Sequence, residues 1–159
     1  MTKRIPIKDK VLNIIGRPMQ IGAVDDDYNI IWDNKERGEP KLEDADTFGI
    51  LRLIIFNVPR DAGAPADPRR SLQLWEAAES AMESKNGTEP SEPKQYIEVP
   101  DKVYDWLHNL LLRELPLDKE ARDKGVVKTT YAYHLWGNNS YKVVRQLKDP
   151  DHIAQEEED

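Results

Sequence analysis

Cysteine is absent from this 159-residue chain, which excludes disulfide staples, thiolate metal sites and a cysteine nucleophile. Histidine occurs only as His108, His134 and His152; none has a second histidine at ligand spacing, so no zinc site is expected. The eight glycines are scattered, whereas a phosphate-cradling loop or a dinucleotide fingerprint needs several in one short window. A Gly-x-Ser-x-Gly elbow is also missing. No run of about 18 apolar residues exists, and polar residues interrupt the stretch from Ile5 to Ile15, so neither a membrane span nor an export leader is expected. Positive charge is in deficit, with 30 acids against 23 bases and a net charge of −7. Such a surface repels phosphate backbones and anionic lipid. These absences together point to a cytoplasmic protein with no cofactor, no catalytic site, no nonspecific nucleic-acid binding and no membrane, whose partner is another protein or itself.

What the chain does contain is a modest core set in polar sequence. Hydrophobic residues make up 38% and charged residues 33%, with a mean hydropathy of −0.75, so a single body of common domain size is expected. Ile7, Val11, Ile14 and Ile15 recur at three- and four-residue steps before Gly16-Arg17-Pro18, which predicts a short first helix. From Met19 to Trp32 apolar residues flank Asp25-Asp26-Asp27, and Tyr28, Ile30, Ile31 and Trp32 suit a strand, which predicts a small hairpin. Asp46 is placed to cap a helix running through Phe48, Ile50, Leu51, Ile54 and Phe56, apolar nearly all round and the candidate centre of the core; a buried strand is the competing reading because of its β-branched residues. Asp67-Pro68 opens an amphipathic helix carrying Leu72, Trp75, Ala78 and Met82 and closing at Asn86-Gly87.

Pro90 and Pro93 among polar residues make 88–95 a candidate flexible linker. Tyr96, Ile97 and Val99 read as extended, and Val103, Trp106, Leu107, Leu110 and Leu111 build a helix ending before Pro116. Residues 117–124 could add a turn or two, 126–136 is β-branched and aromatic, and Asn138 or Ser140 could cap a last helix with Tyr141, Val144 and Leu147. The expected fold is mainly α, with α+β as the alternative: a compact bundle of four to five helices with a small β-hairpin near the N-terminus. Residues 1–148 form one domain in this reading, and the acidic stretch 149–159 forms a disordered tail.

The most specific chemical pattern starts at Asp25. Side-chain oxygens of Asp25, Asp27, Asn29, Asp33 and Glu36 occupy positions 1, 3, 5, 9 and 12 of a calcium loop. The sixth position, where glycine permits the sharp turn, is Ile30, and long flanking helices are missing. An acidic turn leading into a strand explains the same residues. Four aromatics, Trp75, Trp106, Tyr133 and Trp136, are interface candidates, because tryptophan and tyrosine are enriched where binding energy concentrates. His134 lies within the cluster Tyr131-Ala132-Tyr133-His134-Leu135-Trp136, which could equally be a packing surface. His108 is expected at a partly exposed polar position of its helix, and Arg69-Arg70 at a solvated helix start.

Three segments resemble small uncharacterised proteins of tailed bacteriophages: the opening 5–13, the piece 97–107 that starts Ile-Glu-Val-Pro-Asp-Lys-Val, and the end 137–147 that starts Gly-Asn-Asn-Ser-Tyr. In those proteins a short N-terminal helix precedes a helix entered by an extended step, and a small helix closes the chain. The resemblance implies a viral protein of the host cytoplasm or the virion and brings no functional residues with it. The expectation is a noncatalytic protein-binding protein, either a virion or assembly component that self-associates or an inhibitor of a host protein. A calcium-binding module is the alternative, and a small enzyme of unspecified chemistry the third reading.

Overall fold

The computed structural model describes residues 2–57, 67–86, 95–115, 129–151 and 153. The chain starts as strand β1 (Thr2–Pro6), and the helix expected over Ile7 to Ile15 does not form. Asn13 competes for the backbone: its Oδ1 accepts from the amides of Ile15 and Arg17 at 3.1 and 3.0 Å. Gly16 takes φ +84°, and Leu12 bridges back to Pro18. Ile14 and Ile15 stand on the outside of this turn at 63% and 70% exposure, so their helical spacing with Val11 records no shared face.

Four short strands follow: β2 (Gln20–Gly22), β3 (Trp32–Asn34), β4 (Glu39–Pro40) and β5 (Leu42–Asp44). β2 pairs antiparallel with β5 and β3 with β4. Two rings of backbone hydrogen bonds close the region. Val11 N–H donates to Ala45, Ala45 to Met19 and Met19 to Val11, each at 2.8 Å; Ala23 donates to Lys41, Lys41 to Ile31 and Ile31 to Ala23, at 2.8, 2.9 and 3.0 Å. Within each ring the three segments are paired with one another, which satisfies backbone groups that a short flat sheet would leave on its edges. Val11, Ile21, Ala23 and Ala45 are buried here. The hairpin expected over 19–32 is present as the Val24–Ile30 bridge and its turn, one part of this larger closed unit.

Helix α1 (Thr47–Phe56) begins where the sequence places it, with Asp46 Oδ1 accepting from Gly49 N–H at 2.7 Å. Thr47 locks it to the start of the chain: its buried hydroxyl donates to Pro6 C=O and accepts from Lys8 N–H. Helix α2 (Pro68–Asn86) starts at Asp67, whose carboxylate accepts from the amides of Arg69 and Arg70. It buries Leu74, Ala78 and Ala81, while Leu72 faces solvent.

Strand β6 (Tyr96–Pro100) pairs antiparallel with β1, Ile5 opposite Ile97, and runs straight into helix α3 (Asp101–Leu112). Ile5, Ile97 and Val99 lie fully buried with Val103, Leu107 and Leu111 of α3. A last two-stranded pair, β7 (Glu114–Leu115) with β8 (Thr129–Thr130), leads into helix α4 (Tyr131–Trp136), a 3-10 turn over Gly137–Asn139 and helix α5 (Ser140–Gln146). At six residues α4 is too short to hold by itself. Thr130 caps it, and the buried Tyr131 hydroxyl donates to Ile54 C=O at 2.9 Å.

The helical bundle with one N-terminal hairpin is therefore corrected to an α+β fold, in which small two-stranded sheets share the core with the helices. Asp149 is buried, its carboxylate accepting from the amides of Arg4 and Asp151 at 2.8 Å each and its own amide donating to the Tyr104 hydroxyl. Residues 88–94, 117–124, 152 and 154–159, parts of the expected linker, helical turns and tail, lie outside the described residues. Among the described residues no helix is long and apolar enough to cross a membrane.

Candidate functional site

The acidic turn Asp25 to Asn29 is built by its own first residue. Asp25 Oδ1 accepts from the amides of Asp27 and Asn29 at 2.9 and 3.0 Å, and the backbone closes from Asp25 N–H to Asn29 C=O and from Tyr28 N–H to Asp25 C=O. An aspartate that bonds its own backbone in this way is a turn former. The remaining members of the calcium pattern are carried away from it, Asp33 on β3 and Glu36 in the turn between β3 and β4. Among the described residues no three acidic or imidazole side chains converge as a metal would require, because a hairpin spreads along its length the positions that a calcium loop wraps round a point.

The same turn positions an aromatic ring. Tyr28 sits at φ +64°, the left-handed region that asparagine or glycine occupies more cheaply. From there its ring meets Phe56, the last residue of α1, at 6.2 Å between centroids and 70° between planes, and Trp75 of α2 at 5.9 Å and 72°. Phe56 and Trp75 lie 6.0 Å apart. Edge-to-face geometry of this kind contributes about 0.5–1.5 kcal/mol per pair beyond area burial. The cluster is nevertheless not core: Tyr28 keeps 44% and Phe56 58% of its surface in solvent. Ile30, Ile31 and Trp32 on the adjoining arm of the hairpin, and Leu72 one turn before Trp75, are exposed as well. Asp25, Asp26 and Asp27 border the ring of Tyr28 in the chain, and Glu76 and Glu79 follow Trp75 on α2; all five are exposed.

Of the four aromatics singled out from sequence, Trp75 enters this cluster. Trp106 is half-buried against the core, Tyr133 is exposed on α4, and Trp136 is a core residue at 6% exposure. The Trp136 indole Nε1 is buried without a hydrogen-bond partner. His108, expected at a partly exposed position, is buried beside Tyr104, ring centroids 4.3 Å apart. His134 is exposed on α4, and His152 lies outside the described residues. Tyr28 and Phe56 are absent from the sequence-based selection, and the signals that could have found them are local: a bulky residue in an Asp-x-x-x-Asn turn, and a phenylalanine at the last position of an otherwise buried helix.

Burial pushes the Tyr131 phenol above its ordinary value, which keeps it a neutral donor to Ile54. At Asp149 burial alone would raise the carboxyl; the amides of Arg4 and Asp151 and the charges of Arg4 and Lys3 outweigh it and hold the group below the usual carboxylate range. Both groups serve packing, and neither lines the aromatic cluster. Comparison with known protein families, curated proteins and solved structures finds no match to this chain.

Proposed function

We propose that this chain is a noncatalytic protein that binds another protein through Tyr28, Phe56 and Trp75. The observation that carries the reading is a three-ring cluster, assembled from a turn and two helices, that leaves two of its rings about half exposed. Aromatics grouped in this way are the usual anchors of an interface. The neighbouring acids give the partner its chemistry: an apolar surface rimmed by lysine and arginine, attracted by Asp25 to Asp27 and desolvated against the rings. The resemblance of three segments to small tailed-phage proteins supports a viral setting, in which that partner is a host protein.

Phe56→Ser tests this directly, because the side chain is mostly in solvent and its loss leaves the core intact. Immobilised wild-type chain retains a basic protein from a host lysate, and the serine variant with an unchanged melt does not. Retention of the same proteins by both chains would sink the reading. If the wild type instead elutes as an oligomer of the 18.4 kDa chain that the variant dissolves, the occupant of the cluster is a second copy and the protein is an assembly component.

A further inference from the structure

Three hairpin arms of the small-strand region meet at the backbone ring formed by Ala23, Ile31 and Lys41. On each arm the first paired residues beyond that ring are apolar: Gly22 pairs with Leu42, Val24 with Ile30 and Trp32 with Pro40. Residues directly opposite in an antiparallel pair share a face, and so do residues two apart along an extended chain. Gly22 and Val24, Ile30 and Trp32, and Pro40 and Leu42 are each two apart, so the six positions close into one apolar circle on one face. A Cβ at Gly22 would lie 3.9 Å from Pro40 Cβ, which joins two of the arms on that side.

A face of this kind ordinarily packs against a second layer, since sheets of two strands do not hold in water by themselves. Here it stands in solvent: Leu42 is 57%, Ile30 51% and Trp32 40% exposed, and Gly22, Val24 and Pro40 are part-buried. Ile21 and Ala23 alternate with Gly22 and Val24 and are buried, so the core lies behind the opposite face and cannot cover this one. The charges on the β3–β4 arm and its root are balanced. Asp33, Glu36 and Glu39 stand against Lys35, Arg37 and Lys41, all exposed and none in an ion pair among the described residues. Two copies of a chain with net charge −7 repel one another over most of their surfaces, and least where such an arm meets its own kind.

We propose that this apolar circle is the seat of a second copy of the chain, packed about a two-fold axis. Ile30, Trp32 and Leu42 of each copy meet those of the other, and the cations of one β3–β4 arm meet the acids of its partner. A two-fold contact uses the same patch on both copies, and a patch that is apolar at its centre and charge-balanced beside it complements itself. Face-to-face packing gives each small sheet the layer it lacks. The circle shares no residue with Tyr28, Phe56 and Trp75 and stands whether or not those rings bind a partner. With both surfaces occupied, one dimer presents two aromatic clusters.

Light scattering on the full chain after size exclusion tests this. Loaded at about 100 μM, where a dimer of micromolar affinity is mostly formed, the wild type should show twice the 18.4 kDa chain mass and fall toward the single-chain mass on dilution. Leu42→Glu should be monomeric at an unchanged melting temperature, and Trp32→Ser should weaken the dimer about tenfold or more. The arms supply a second test at exposed positions if Leu42→Glu disturbs folding. K35E/R37E and E36K/E39K should each be monomeric alone, by repulsion between like arms, and an equimolar mixture should regain the dimer mass. A wild type that stays monomeric at about 100 μM would overturn the proposal, as would a dimer that survives both Leu42→Glu and Trp32→Ser, or a mixture of the two arm variants that stays monomeric. A dimer dissolved by Phe56→Ser but not by Leu42→Glu would overturn it and place the second copy on the aromatic cluster. A monomeric wild type that retains a different protein, lost in Leu42→Glu, would overturn it in favour of an unlike partner.

Discussion

A methyl group at Gly49 would lie 2.5 Å from Ile21 Cδ1, closer than any two carbons pack. Gly49→Ala gains about 1 kcal/mol of helix propensity and still loses stability, because overpacking of this kind costs about 1–3 kcal/mol. Ile21→Val removes the offending methyl, so the double variant should recover most of the loss, a coupling that thermal melts of the four-member cycle would measure. Tyr28 presents the opposite case. Tyr28→Asn relieves a backbone cost of about 1–2 kcal/mol while giving up ring contacts of similar size, so the melt should move little and partner binding should fall sharply; a large destabilisation with binding intact would show the ring to be structural. Thr47→Val leaves Lys8 N–H and Pro6 C=O without their partner in a part-buried setting and should cost about 1–3 kcal/mol in a denaturant melt. Neither Gly49 nor Thr47 announces its role in the sequence, since the atoms that constrain them lie on segments 28 and 41 residues away.

Among the elements, the ones the sequence delimits best are those with a chemical start signal. Asp46 and Asp67-Pro68 mark α1 and α2, because capping satisfies orphan amides whatever the tertiary context, and Pro100, which makes no side-chain cap, marks the passage from β6 to α3 by its fixed φ and missing N–H. On α2 the buried face is rotated by about a quarter of a turn from the expected one: Leu74, Ala78 and Ala81 are buried and Leu72 is exposed, since alanine faces carry little contrast. The N-terminal helix failed for a different reason. Its apolar spacing is that of a helix, but the segment is held as a turn by α5, through Gln146 on Leu12, and by the 3-10 turn before it, through Asn139 Oδ1 on Ile14 N–H. Gln146→Ala would orphan both Leu12 backbone groups and should cost about 1–3 kcal/mol. The loss should appear first as faster amide exchange across 11–19, while α2 and α3 stay protected.

Across the whole molecule, β1 is tied to the segment that follows α5. Arg4 of β1 donates from its backbone to Asp149 and from its guanidinium to Asp151, so residues at the two limits of the described structure close the fold. The Asp149 carboxyl lies below its ordinary value in the folded state. Its stabilisation is therefore present above the ordinary carboxylate range and is lost as pH falls through the depressed value. Asp149→Ala should destabilise by about 1–3 kcal/mol at neutral pH, and the gap to wild type should narrow in melts taken below the ordinary carboxylate range; a gap independent of pH would assign the loss to packing alone. The distribution of charge is also a property of this scale. Net charge counts acids and bases along the chain, whereas the fold gathers Asp25 to Asp27 beside one apolar surface.

Composition and local chemistry by themselves determined that the chain has no thiol chemistry, where its capped helices begin, and that Asp25 to Asn29 turns, because each of these depends on groups a few residues apart. The tertiary structure alone decided the rest. Whether Ile14 faces the core, whether Trp136 is an anchor or a core ring, and whether Tyr28, Phe56 and Trp75 meet at all depend on contacts between distant segments. Period-based reading averages over such contacts: a short apolar run has the same spacing on the outside of a turn as on the inside of a helix, and only the packing of the remaining chain separates the two.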